Sequence, residues 1–352
     1  MDFLSQLMIT NIIDYTVFTY YLGKLFNTYK LNRNYEEGKI KKIVLPKELQ
    51  AKHNIINQQT IDSRNFIKYI DKFIYVITTN FKKEDLTYFY NNVRTLRVFP
   101  DYFLLKKDYK YGDILGFYMA AGNYIAYKKD LVEQIIYHEL FHMASSVYEY
   151  SYIHSGFSHT NLDTKDRIGK GLNEGYTELL SNRYFSLENA PSSYYLESVL
   201  AKGVELLIGK EKMESLYLTS NLNGLIDELA KYSDKEKVEV FLSGIDNLAD
   251  SKLVNIRKCM NDFSNLILFL NSCNIKRAIK LKKDGTIKST EELIDFLADY
   301  LSSFYIVIEG VKVNLISIKE VLIENLNTLE EIKPLIDDYK KTDNENNLTL
   351  KL

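Results

Sequence analysis

The segment DLVEQIIYHELFHMASSVYEY, residues 130–150, constrains this chain more than any other stretch. Its spacing predicts a helix. Asp130 can act as N-cap with Glu133 three residues on, the capping-box arrangement, while Leu131, Ile135, Ile136, Leu140, Met143 and Val147 supply an apolar stripe for burial. On such a helix His138 and His142 lie one turn apart on one face, where two imidazole nitrogens can reach a single metal ion. Glu139 directly follows the first of them. Neutral imidazole suits Zn²⁺, and a carboxylate beside the ion can take a proton from a water whose pKa the metal has lowered. The chain is therefore expected to build a semi-buried helix around one cation.

Two histidines do not complete such a site, because a catalytic zinc takes a third protein ligand and keeps a fourth position open. The next informative stretch is GKGLNEGYTELLSNRYF, residues 169–185. Gly169, Gly171 and Asn173 mark a helix start, and Glu174 and Glu178, four apart, share a face of that helix. Glu174 is read as the third ligand. Glu178, one turn on, can accept the remaining N–H of a ligating histidine and so fix its tautomer. Paired glutamates on a helix are most often solvated surface. Their position after the HExxH segment, with 31 residues between His142 and Glu174, favours the metal reading here.

HELFH followed by LNEGYTEL resembles the gluzincin zinc metallopeptidases, the thermolysin-like enzymes and the zinc aminopeptidases. The resemblance implies His138, His142 and Glu174 as zinc ligands, Glu139 as general base and Glu178 as the partner of a ligating histidine. It spans about 60 residues. The interval between the two helices is longer than in those groups, which implies an insertion. No histidine follows His159, so the downstream histidine that helps thermolysin-like enzymes stabilise an oxyanion has no counterpart.

At 352 residues the chain can bury a sizeable core and is expected to hold more than one unit. Lysine plus arginine (45) nearly balance aspartate plus glutamate (47), which argues against nucleic acid as partner. Cys259 and Cys273 have no CxxC spacing, so neither a disulfide framework nor a thiolate zinc site is expected. Residues 1–27 are apolar but carry Asp2, Asp14 and several polar side chains, with no basic start or small-residue cleavage site; they read as a buried amphipathic helix, not a signal peptide or membrane span. A cytoplasmic location is expected.

From Ile61 the spacing of Phe66, Ile70, Phe73, Ile74 and Ile77 predicts a helix, followed by a short one near Lys83 to Asn91. TLRVF, residues 95–99, has strand character, and residues 114–127 read as two short strands about an AGN turn or one irregular edge strand. An extended substrate can add to such an edge by main-chain pairing. SYIHSGFSHTNLDTKDRIGK, between the metal helices, reads as a polar loop carrying Tyr152, His154 and His159. Tyr152 and His159 are the candidates there for a catalytic contribution, the donation of a hydrogen bond to a developing oxyanion. Beyond Pro191 the segments have helical apolar spacing, and the basic run at 276–290 reads as an exposed hairpin or loop around a DG turn.

The expected fold is thus α+β and predominantly helical: an N-terminal helical segment (1–45), a zincin-like catalytic domain with a small sheet and two metal-bearing helices (46–190), and a helical C-terminal domain (191–352). The expected function is hydrolysis of peptide bonds in a peptide or protein substrate, using one Zn²⁺ ion and the Glu139 base. Two other readings fit the same residues: a zinc-binding regulatory protein that no longer cleaves, and a toxin-like zinc endopeptidase.

Overall fold

A computed structural model describes residues 64–100, 116–127, 133–185, 194–254, 256–308 and 311–314. The N-terminal segment, the Asp130 cap with Leu131, and the polar tail lie outside the described residues. The described part is mostly helical with small sheets. Among these residues no helix is long and apolar enough to cross a membrane.

Helix α1 (Arg64–Asn80) buries Phe66, Phe73 and Ile77, residues of the expected stripe. A 3₁₀ turn (Lys83–Leu86) and α2 (Thr87–Val93) follow and bury Leu86 and Phe89. Strand β1 (Arg97–Pro100) runs parallel to β3 (Tyr124–Tyr127), and β2 (Gly116–Met119) pairs antiparallel with β3 on its other side. β3 is buried along its whole length, as a central strand should be, and among the described residues β2 lies at one margin of this sheet. Asn123 turns the chain between β2 and β3 in the left-handed region (φ 46), a conformation asparagine tolerates. Its side chain donates to the Asn92 carbonyl and to Thr95 Oγ1, tying the turn to the end of α2.

Helix α3 (Glu133–Ala144) carries the HELFH segment and packs against β2, α1 and α2. It ends three residues earlier than the apolar stripe suggested, so Val147 lies in a strand instead. Ser145 and Ser146 explain the stop: their hydroxyls turn back onto the carbonyls of Phe141 and His142, competing with continued helix.

The stretch read as a polar loop supplies three strands of a four-stranded antiparallel meander, and the end of the segment read as helix supplies the first: β4 (Ser146–Glu149), β5 (Tyr152–Ser155), β6 (Ser158–Asn161) and β7 (Arg167–Ile168), in that order. The loop expectation failed because both faces of these strands carry Ser, Thr, His and Asn, which leaves no apolar alternation to read. The β5–β6 turn has two residues, Gly156 and Phe157. Gly156 takes φ +54 with its N–H on the Ser145 carbonyl, and a Cβ there would fall 2.3 Å from Asn173 Oδ1.

Helix α4 (Lys170–Phe185) is the second metal-bearing element and packs on α3, on α5 (Tyr195–Ile208) and on α8 (Lys235–Val254). Between α5 and α8 lie α6 (Lys210–Leu218) and α7 (Leu222–Leu229). The chain continues through α9 (Ile256–Lys283), α10 (Thr290–Ser302) and a hairpin of β8 (Tyr305–Ile308) and β9 (Val311–Asn314). The basic run at 276–290 is not a hairpin. Its first eight residues are the last turns of α9, where Lys280, Lys282 and Lys283 meet the negative end of the helix dipole, and the expected loop around the Asp284–Gly285 turn is confined to residues 284–289 before α10. Buried side chains from both sides of residue 190 belong to one continuous core: Phe157, Leu172 and Tyr176 with Leu200, Tyr217 and Ile245.

Candidate metal centre

Helices α3 and α4 lie side by side, and the faces they turn to each other carry the predicted ligands. His138 Nε2 and His142 Nε2 are 3.0 Å apart. Glu174 Oε2 lies 3.1 Å from the first and 3.2 Å from the second. Three potential ligand atoms from two helices thus converge on one point, and this cluster could hold a metal ion. The spacing fits: ligands about 2.0–2.1 Å from a tetrahedral zinc are roughly 3.3 Å from one another. The donor set, two imidazole nitrogens and one carboxylate oxygen, also suits such an ion and leaves one position for a fourth ligand.

Charge makes the same point. His138, Glu139, His142 and Glu178 are buried, and only 13 % of the Glu174 side chain is exposed. Three carboxylates gathered in so little solvent require positive charge nearby. Burial disfavours the His138 imidazolium, but the hydrogen-bonded Glu174 and Glu178 carboxylates overcome it and raise the imidazole to about 10. Burial likewise opposes ionisation of Glu174, and the two imidazoles nevertheless hold its carboxyl well below the usual carboxylate range. Glu139 is pushed up, mainly by burial, although the two imidazoles and a hydrogen bond from the Tyr118 backbone N–H oppose the shift. That N–H belongs to β2, so the marginal strand reaches the residue beside the cluster.

Each ligand has a support. His138 Nδ1 is 3.2 Å from Glu178 Oε2, the partner the Glu174/Glu178 spacing suggested, and Asn182 Nδ2 donates to the other oxygen of Glu178 at 3.3 Å. Asn173 Oδ1 accepts the Phe157 backbone N–H and its Nδ2 lies 3.4 Å from His142 Nδ1; with Nε2 on a metal Nδ1 carries the proton, so Asn173 then supports His142 by packing and not by a hydrogen bond. The sheet between the helices thereby touches the support of a ligand. α4 itself is fixed along its length. Asp246 of α8 accepts the N–H groups of Gly169 and Gly171 at its start, Thr177 bonds the Tyr217 hydroxyl at 2.6 Å in the middle, and Arg183 near its end bridges Glu205 of α5 and Glu214 of α6.

Tyr152 and His159 are not among the converging donors. His159 Nε2 faces the Ser220 carbonyl at 3.0 Å, and its ring meets His154 edge-on. Burial lowers its pKa. Tyr152 is half exposed on β5 and stacks on His154. The sequence reading missed Asn173 as a support, Asp246, Tyr217, and Tyr194, whose ring stacks on His138 with centroids 5.7 Å apart and planes 16° from parallel. Only Asn173 had a local signal, its place beside Glu174; the others come from more than 15 residues away from the group they touch.

No family model matches the chain, and no curated protein or solved structure shows significant similarity to it.

Proposed function

We propose that the chain is a zinc-dependent peptidase that hydrolyses peptide bonds by attack of water, with Glu139 as general base. The observation that carries this reading is the convergence of His138, His142 and Glu174 from two helices, with Glu139 next in sequence to one of them and held from β2. A zinc ion bound there supplies Lewis acidity to the scissile carbonyl and to the attacking water. Glu139 takes the proton of that water and returns it to the leaving amine. Glu178 holds the His138 imidazole with its Nε2 toward the cluster, and Asp246 and Arg183 hold α4 so that Glu174 keeps its place. The β2 margin offers backbone groups beside Glu139 for pairing with an extended polypeptide, the mode of recognition a zincin-like domain would use.

A second reading, a zinc-binding protein that does not cleave, draws on the position of His159, which is committed to the Ser220 carbonyl. One variant separates the two. Glu139→Gln keeps the shape of the side chain and removes the base, so zinc content should be unchanged while turnover of a denatured protein or mixed peptide library falls by at least about 10²-fold. Full activity in Glu139→Gln would end the mechanism. Stoichiometric zinc in a wild type that cleaves nothing in the library would support the second reading.

A further inference from the structure

Glu178 meets His138 at Nδ1 and Glu174 at Nε2, two contacts at the ring nitrogens. The face of the ring is held by something else. Tyr194 precedes α5, its carbonyl accepting the Ser198 N–H at 2.8 Å as the helix begins, and its partly buried side chain stacks beside His138 with centroids 5.7 Å apart and planes 16° from parallel, an offset arrangement. We infer that Tyr194 is a positioning residue of the metal centre: its ring closes one face of the His138 imidazole and, with Glu178, holds Nε2 toward His142 and Glu174. This rests on the reading of the cluster as a metal site.

The chain next to Glu174 explains how Tyr194 gets there. Gly175 faces the first turn of α5, where a Cβ would fall 2.2 Å from the Glu197 carbonyl carbon and 2.7 Å from the Ser198 nitrogen. Without a side chain at 175, α5 can lie against α4 directly beside the third ligand, and its start is carried over the first. The sequence NEGYTE thus encodes a ligand, the partner of a histidine, and, between them, the close approach that brings in a further support.

The test compares Tyr194→Phe, which keeps the ring, with Tyr194→Leu, which fills similar space without it. In the metal-free protein the His138 ring protons should show a ring-current shift by NMR that survives in Tyr194→Phe and disappears in Tyr194→Leu. Zinc affinity by competition with a chromogenic chelator should fall about tenfold or more in Tyr194→Leu and less than about twofold in Tyr194→Phe, in the range expected when a support of a ligating histidine is lost. The visible spectrum of the cobalt-substituted protein should change in the leucine variant alone. Unaltered affinity and resonances in Tyr194→Leu, or equal losses in both variants, would overturn the role of the ring. A wild type that binds no zinc would instead overturn the metal assignment beneath it, and the metal-free NMR comparison would still report on the packing.

Discussion

Helix α4 carries two buried charge clusters, one in each half, and they are balanced in different ways. In the second half, Arg183 bonds Glu205 at 2.7 Å and Glu214 at 3.1 Å, Lys202 adds a contact to Glu205, and the hydroxyls of Tyr176 and Tyr184 complete the carboxylates. Every charge there has a counter-charge supplied by the chain. In the first half, Glu174 and Glu178 face the imidazoles of His138 and His142, with Glu139 alongside, and Asn182 donates to Glu178. Imidazole is a conditional counter-charge: the carboxylates favour the protonated form of His138, and the neutral form that ligates metals gives that charge up. The same helix therefore holds a closed ion network that fastens it in place, and a second one, built on titratable imidazoles, that could hold a metal ion.

The largest expected effect concerns the imidazole cluster. Chelation should lower the unfolding midpoint of the wild type, because zinc binds only the folded chain; at free zinc about 1,000 times the dissociation constant the stabilisation is about 4 kcal/mol. Thermal unfolding with and without EDTA checks this, and the difference should vanish in His142→Ala. If chelation leaves the midpoint unmoved, the two clusters are of one kind and the comparison fails.

Next in size is the closed cluster. Arg183→Met leaves Glu205 and Glu214 short of their main cation and should cost about 2–3 kcal/mol, below the figure for a fully buried pair because the guanidinium is partly solvated. Denaturant unfolding gives the loss, and zinc stoichiometry should stay at the wild-type value. Loss of zinc along with stability would show that the two halves of α4 are not independent.

Smaller again is Glu178→Gln, which keeps an acceptor for His138 but removes its charge. Zinc affinity should fall about tenfold to a hundredfold, or about 1.4–2.7 kcal/mol, with little change in the stability of the metal-free protein. Competition titration measures it.

The smallest effect is on acid stability. Burial raises the Glu205 carboxyl and Arg183 and Lys202 more than reverse it, leaving its folded pKa below the usual 4.5. The charged form is thus favoured by folding: its contribution is present above about 4.5 and is lost as pH falls through the folded value. Glu214, raised mainly by burial, works the other way. Glu205→Gln should therefore flatten the loss of stability below pH 5 relative to wild type in denaturant titrations, and an unchanged slope would contradict the shift.

What could be read from the amino acids follows the range of the interactions. HELFH was legible because two histidines one turn apart are a local pattern, and Glu174 and Glu178 because they repeat it on the next helix. The helix α1 and the β2–β3 pair were legible from apolar spacing and from the Asn123 turn. The meander between the metal helices was not, since Tyr152, His154, Ser158 and Thr160 hide its alternation. Nor were Asp246 and Tyr194, because a carboxylate 75 residues from Gly171 and a tyrosine 56 residues from His138 give no spacing to recognise. The outer supports of the centre are set by tertiary packing, and sequence periodicity cannot report on it.

The most direct test of the imidazole cluster is metal content with X-ray absorption on the purified chain. The account predicts one zinc per chain, bound by two imidazoles and a carboxylate oxygen, with the signal lost in His142→Ala and Glu174→Ala and retained in Glu139→Gln. Wild-type protein without stoichiometric divalent metal, or with zinc that persists when His142 and Glu174 are both removed, would contradict it.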